Sequence, residues 1–434
     1  MIELGLQRIS RLVQHCPPIS WKAVHIAGTN GKGSIVSYIS SLFAHSGIRC
    51  GAFTSPHLVD RWDCITIDNN AVKQSVFLAA EEKIKQVDRT LGVGASEFEL
   101  LTATAFQIFE QEKIDIGVIE VGLGGRLDAT NVLTEKDVLV SVVSKIGLDH
   151  QKILGDSLEQ IAREKAGIMK KNVACVVDAT NETGVMNVLR KCADNAGTRL
   201  IPVTTDSATK QFNSLSAIFD SVRLEPHQQT NASVAVTAAQ LAISLHRPQS
   251  TKNTFEGILS KAITACPRPG RQQLIDLRPL VSRAAPVLLD GAHNPQSAVV
   301  LGQYVESRIR RDEKPLVWIL AMSEGKSMDE ILDTIIRPNS GDYIATVEFG
   351  AVDGMPWVRP CESTALAGEV SKVQGLGEIK SFGADLKGAL RWAEGKAVAL
   401  GTNDNEGSIV IAGSLYLVGS VLRELREAGM QNGN

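Results

Sequence analysis

Short apolar runs with almost no polar interruption constrain this chain more than any other feature. Val24-His25-Ile26-Ala27, Ile116 to Val121, Val138 to Val143 and Val173 to Val177 are the first four. A strand with one face in water alternates apolar and polar residues, whereas a strand covered on both faces reads as a nearly continuous apolar run. Between these runs lie helical stretches. Ile35 to Ala44 places Ile35, Ile39 and Leu42 at helical spacing, and Leu158 to Met169 reads as another helix. Buried strands alternating with helices predict an α/β fold with a mostly parallel sheet covered on both faces.

The alternation breaks at Cys266-Pro267-Arg268-Pro269-Gly270-Arg271, where two prolines and a glycine mark a turn or linker. It then restarts. Pro286 to Asp290, Leu316 to Ala321 and Ser408 to Ala412 read as strands, Ser297 to Arg308 as a helix, and 346–365 as loop. Two domains are expected, residues 1–268 and 269–434. The chain's 434 residues, 44% of them hydrophobic, suffice for two cores. Charged residues make up 21% with a net charge of −3, which gives no reason to expect nucleic acid or an anionic membrane as partner. Seven scattered cysteines without metal-type spacing read as reduced thiols. With no signal-like N-terminus and no apolar run of membrane-spanning length, a cytoplasmic protein is expected.

Gly28-Thr29-Asn30-Gly31-Lys32-Gly33-Ser34 lies between the first strand and the first helix. Glycines let a backbone bend so that several N–H groups point at phosphate oxygens, and the helix N-terminus adds partial positive charge. Lys32 can reach the outer phosphates and Ser34 can contact phosphate or a magnesium shell. The spacing is one residue shorter than the common G-x-x-x-x-G-K-[ST] loop.

Other candidates stand at strand ends, where parallel sheets bind their ligands. Glu120 follows Ile116–Ile119; on position alone it either holds Mg²⁺ or begins a solvated loop. Asp290, in Asp290-Gly291-Ala292-His293-Asn294, either orients a nucleotide or makes an ordinary turn. His150 alone reads as a structural loop histidine, and Lys165 alone as a lysine on a solvated helix face. His15 and His45 read as surface residues, His25 as packed and His246 as part of a loop. Neither a Ser/His/Asp order nor a zinc spacing is present.

Taken together, these segments resemble the folylpolyglutamate synthase and dihydrofolate synthase family of the Mur ligase superfamily. The resemblance is carried by His25 to Ser34, Thr54-Ser55-Pro56-His57-Leu58, Glu120 to Asn131, Ile146-Gly147-Leu148-Asp149-His150, Leu154-Gly155 and Glu164-Lys165-Ala166-Gly167-Ile168. It continues through His227-Gln228, Asn231-Ala232, Pro269-Gly270-Arg271 and Asp290 to Asn294, so it spans about residue 5 to about residue 422. Gly5-Leu6-Gln7-Arg8-Ile9, Asp353 to Trp357 and Gly413 to Gly419 point within the family to its monofunctional fungal branch. Ala321 to Lys326 departs from it, since many relatives carry a histidine before the Gly-Lys pair.

The resemblance implies a P-loop ATPase domain followed by a smaller Rossmann-like α/β domain. It implies that Gly28 to Ser34 bind ATP, with Asn231, Arg271 and Asp290 also contacting nucleotide. Ser34, Ser55 and Glu120 would serve one Mg²⁺, and His150 and Lys165 a second, with Lys165 as a candidate carbamylated lysine. Lys32, Lys165 and His293 would be the catalytic residues. The implied reaction joins L-glutamate to 7,8-dihydropteroate through an acyl phosphate, by a monomeric enzyme. Three rivals remain: the same chemistry on reduced folates, a non-catalytic ATP-binding scaffold and a P-loop kinase or GTPase-type switch.

Overall fold

The computed structural model describes residues 4–249, 252–282, 285–310, 313–401 and 407–431. The chain clusters into two compact units: Met1–His57 with Trp62–Pro267, and Leu58–Arg61 with Arg268–Asn434. The first contains an eight-stranded sheet. Its strands are β1 (Lys22–Ala27), β2 (Cys50–Phe53), β3 (Ile65–Ile67), β4 (Asn70–Ala71), β5 (Ile116–Glu120), β6 (Val138–Val143), β7 (Cys175–Asp178) and β8 (Leu200–Val203). They lie in the order β4-β3-β2-β5-β1-β6-β7-β8. From β2 to β8 every pairing is parallel, and β3 and β4 extend one edge antiparallel.

The central strands are apolar because both faces are covered. Val24 and Ile26 of β1 point into one core with Ile35, Ile39 and Leu42 of the helix Lys32–His45 and with Ala235, Ala238, Ala239 and Ala242 of the helix Pro226–His246. Ala23 points the other way, into a core with Phe106 and Phe109 of the helix Glu97–Gln111. There Trp21 meets both rings edge-on at 5.3 and 5.5 Å. The small alanines allow the long helix to lie close against its neighbour. That helix begins with Pro226 in its first turn and a Glu225–Gln228 capping box, and it runs through His246. His246 is therefore helical rather than in a loop, and Arg247-Pro248 ends the element.

The second unit holds β9 (Gln273–Ile275), β10 (Val287–Leu289), β11 (Val317–Leu320), β12 (Tyr343–Thr346), β13 (Ile379–Ser381) and β14 (Ile409–Ala412), in the order β13-β12-β11-β14-β10-β9. All pairings are parallel except that of β9 at the edge. Leu289, Ile319 and Ile411 face one core, and Leu288, Trp318 and Val410 the other. The helix expected from Ser297 starts at Pro295 behind an Asn294 cap and gives way to a π-turn at Val305–Ile309. The stretch 347–362 is loop, bounded by β12 and by the helix Ser363–Val370.

Leu58–Arg61 lies between β2 and β3 in sequence but belongs to the second unit. There Arg423 donates to the Val59 carbonyl and Arg426 pairs with Asp60, both arginines being on the helix Leu415–Gln431. Among the described residues no helix is long and apolar enough to cross a membrane.

Inside the second unit, the Arg310 guanidinium forks onto the Asp342 carboxylate with two bonds of 2.8 Å. The two side chains are 2% and 0% exposed. Asp342 also accepts from Leu316 N and from Trp318 Nε1. Losing the Asp342 carboxylate would leave the buried Arg310 to the part-exposed Glu306 at 2.8 Å and strip Leu316 N and Trp318 Nε1 of their acceptor, against about 3–5 kcal/mol for breaking a buried pair outright. Asp342→Ala is therefore expected to speed hydrogen exchange of the β11 and β12 amides, and unchanged protection would show that the pair does not hold these strands.

Candidate active site

The site in the first unit forms where β5, β1 and β6 end. Strand order reverses about β1, since β2 and β5 lie to one side and β6 to the other. A crevice at such a switch point, outside the carboxyl ends of the strands, is the expected ligand position. Residues Gly28 to Gly31 turn there, and Lys32 opens the helix that carries Gly33 and Ser34 in its first turn.

Two glycines are demanded by space as well as by φ. Gly28 has φ 151°, and a Cβ there would lie 1.8 Å from Ser144 Oγ. Gly31 has φ 90°, and a Cβ would lie 2.3 Å from Asn231 Oδ1, delivered by the helix Pro226–His246. The loop is held by the segment after β6. Thr29 N and Asn30 N donate to Lys145 O at 2.9 and 3.1 Å, and Ser144 N donates to Ala27 O. Ser144 Oγ donates to Asn30 O at 2.8 Å, and Thr29 Oγ1 exchanges bonds of 3.0 Å with Gly147 O and N.

Lys32 Nζ lies 3.6 Å from Glu120 Oε1 at the end of β5, with both side chains largely buried. Glu120 is thus no solvated loop residue; it is 4% exposed. Lys165 is buried at the last turn of the helix Leu158–Ala166 and donates from Nζ to Gly28 O at 2.7 Å. Burial, and then the neighbouring Lys32 ammonium, push its pKa down to about 7, against the attraction of Asp149, Asp128 and Glu120. Lys32, Glu120, Lys165 and Asn231 therefore converge on the glycine loop. His150 does not join them as tightly. It takes a left-handed conformation ahead of the short helix Gln151–Leu154, with its ring half in solvent and 3.9 Å from Asp149. Ser55 follows β2, on the far side of β5 from β1, and precedes a cis peptide to Pro56.

A polar network that the residue types alone do not mark lies behind Lys165. Asp128 Oδ2 accepts from Leu123 N, and its Oδ1 accepts from Thr130 N and Thr130 Oγ1. Thr130 Oγ1 also meets His25 Nε2 at 2.8 Å, and burial drives the pKa of His25 down to about 3, so the ring is neutral. Asn131 donates to Arg126 O and Gly167 O, and Arg126 N donates to Glu164 O. These bonds clamp the Gly122–Asn131 segment to the Lys165 helix. In the sequence they show as the polar cluster Asp128-Ala129-Thr130-Asn131 among apolar runs, inside the family-like segment Glu120 to Asn131.

In the second unit, Arg271 lies beside Asp290 at the end of β10, and His293 follows three residues on. Asp290 is 8% exposed and accepts from Gln272 N and Ala292 N, both at 2.8 Å. Burial raises its pKa, opposed first by the Arg271 charge. His293 Nδ1 lies 2.8 Å from Gly291 O.

Among the described residues no three His, Cys, Asp or Glu side chains gather as a metal cage. A Mg²⁺ ion that keeps its waters and binds substrate phosphates needs only one or two protein carboxylates; the buried Glu120 is a hard donor of that kind, and the hydroxyls of Ser34 and Ser55 are hard oxygen donors as well.

A strand, glycine loop and helix with a lysine in its first turn, on a parallel sheet, define a P-loop α/β protein. A family model described as "Dihydrofolate synthetase, C-terminal domain" matches residues 273–424. The probable dihydrofolate synthetase of Schizosaccharomyces pombe is 36% identical, over 98% of this chain and 99% of its own. The dihydrofolate synthetase of Saccharomyces cerevisiae is 34% identical, over 97% and 98%. Among solved structures, Mycobacterium tuberculosis folylpolyglutamate synthase complexed with ADP matches with a TM-score of 0.79 at 26% identity, covering 98% of this chain and 95% of that one. The chain belongs to the folylpolyglutamate synthase and dihydrofolate synthase family of the Mur ligase superfamily, and is an enzyme of the ligase class.

The Lys165 titration carries a sign that can be measured. Between its folded pKa of about 7 and its unfolded value of 10.5 the unfolded chain binds more protons, so this residue's contribution makes stability rise with pH across that window. Lys165→Met is expected to gain most relative to wild type below about pH 7 and to lose that advantage as pH rises toward 10.5. Denaturation midpoints at several pH values test this, and a constant difference would refute the lowered pKa.

Proposed function

We propose that this protein is a dihydrofolate synthase, joining L-glutamate to 7,8-dihydropteroate with conversion of ATP to ADP and phosphate. The observation that carries the ATP-linked part is the convergence of Lys32, Glu120 and Lys165 on the Gly28–Ser34 loop. The choice of acid is supported by the full-length similarity to the two fungal dihydrofolate synthetases. Seven scattered cysteines without metal-type spacing support a reducing, cytoplasmic setting.

A carboxylate does not form an amide in water without activation. In this reading the γ-phosphoryl group passes to the dihydropteroate carboxylate, giving an acyl phosphate and ADP. The glutamate amine attacks the acyl carbon and loses a proton, and the tetrahedral intermediate expels phosphate as the amide forms. The chain's task is placement and charge neutralisation. The loop N–H groups and Lys32 hold the phosphate oxygens in line, and Asn231, Arg271 and Asp290 contribute to nucleotide binding. His293 would act near the phosphates or the incoming glutamate. Ser34, Ser55 and Glu120 would hold one Mg²⁺, and His150 and Lys165 a second. Bound there, Mg²⁺ would offset charge on the phosphoryl oxygens. Lys165 suits carbamylation, because an amine with pKa about 7 is substantially neutral at physiological pH and can add to CO₂.

Phosphate release with MgATP and glutamate tests the assignment. Release with dihydropteroate and not with tetrahydrofolate is expected. The reverse would move the protein to polyglutamylation, and release with neither would remove the proposed reaction. Lys32→Ala is expected to abolish turnover while the protein stays folded, and unchanged turnover would sink the ATP-site reading. Lys165→Ala is expected to lose activity, with acetate restoring part of it; full activity without acetate would take Lys165 out of the site.

A further inference from the structure

Asp128-Ala129-Thr130-Asn131 recurs as Asp178-Ala179-Thr180-Asn181, and the two copies fold alike. Asp128 Oδ1 accepts from Thr130 N at 3.0 Å and from Thr130 Oγ1 at 2.6 Å; Asp178 Oδ1 accepts from Thr180 N at 2.8 Å and from Thr180 Oγ1 at 2.6 Å. In each copy the aspartate closes a tight turn that leaves the asparagine amide to bind backbone groups of another segment. The first copy clamps the Lys165 helix. The second, at the end of β7, reaches the segment that supports the glycine loop.

Asn181 is 6% exposed. Its Nδ2 donates to Ser144 O at 3.2 Å and to Asp178 O at 2.8 Å, and its Oδ1 accepts from Ile146 N at 2.8 Å. Ser144 offers a carbonyl and Ile146 an N–H, so one orientation of the amide fits. Lys145, between them, donates from Nζ to Thr180 O and Thr180 Oγ1. Ser144 to Gly147 is the same run whose carbonyls, N–H groups and hydroxyl fix Ala27 to Asn30.

We infer that Asn181 is a positioning residue for nucleotide binding, acting through Ser144–Gly147 on the backbone of the phosphate loop. The inference rests on the reading that Gly28–Ser34 binds ATP. The loop's phosphate-binding groups are backbone N–H groups, so their aim depends on what holds the backbone, and a small misplacement at such a site is costly. Asn181 touches neither ATP nor acid nor glutamate in this scheme. Its loss weakens ATP binding and leaves the glutamate step alone.

The test is ATP affinity by calorimetric titration, with KM for glutamate at saturating ATP. Asn181→Ala and the isosteric Asn181→Asp are compared with wild type. The aspartate keeps the acceptor for Ile146 N and loses both donors. Each is expected to weaken ATP binding about tenfold or more, with KM for glutamate within about twofold. Combining Asn181→Ala with Ser144→Ala is expected to cost less than the sum of the two, because both act through one segment. A folded variant of either kind that binds ATP like wild type overturns the inference, as does a fall in kcat with unchanged ATP affinity, which marks a merely structural residue. Wild-type protein that binds no ATP overturns the ATP-site reading itself and this inference with it.

Discussion

The bond from Lys165 Nζ to Gly28 O fastens three separate parts of the first unit at one point. It joins the glycine loop after β1 to the helix Leu158–Ala166, and that helix is already tied to the Gly122–Asn131 segment through Arg126 N and Asn131. Taking an ammonium out of water is costly. Here one short hydrogen bond and three surrounding carboxylates offset only part of that cost, and Lys32 works against them. The result is an amine near its midpoint at neutral pH, a state that a solvated lysine does not reach.

Both sheets repeat one arrangement. In each, an acidic side chain stands at the carboxyl end of a strand beside a basic one: Glu120 beside Lys32 in the first, Asp290 beside Arg271 in the second. The acids differ in how they are satisfied. Asp290 spends its oxygens on the N–H groups of Gln272 and Ala292, which fixes the turn itself. Glu120 lies against a lysine that also donates to Thr29 O, so its carboxylate belongs to the loop.

Much of this was legible in the residues. The strands at the sheet centres announce themselves because burial on both faces removes polar residues, as in β1, β5, β6 and β11. Strands at or next to an edge can be harder to read: β3, β4, β9 and β13 are two or three residues long and partly exposed. The glycine loop is readable from spacing, because few backbones need so many glycines between a strand and a helix. Position alone could not separate a buried Glu120 from a solvated one, since the neighbours that bury it come from distant segments. His246 looked like loop because Arg247-Pro248 follows it, yet its helix is fixed by packing from Ala232 to Ile243. Asn181 is marked in the sequence by the second Asp-Ala-Thr-Asn run, but the run does not show which backbone groups its carboxamide meets.

The four residues Leu58–Arg61 set an order on folding. They are made early, between two strands of the first sheet, yet the groups that hold them, Arg423 and Arg426, emerge from the ribosome more than 350 positions later. Nascent chain can complete β1 to β8 while this short stretch still waits for its partners. The second unit, by contrast, cannot be whole as an isolated C-terminal fragment, because one piece of it is encoded in the other half of the gene. A truncation at the Pro267–Arg268 boundary would leave two guanidinium groups facing water where a carbonyl and a carboxylate belong.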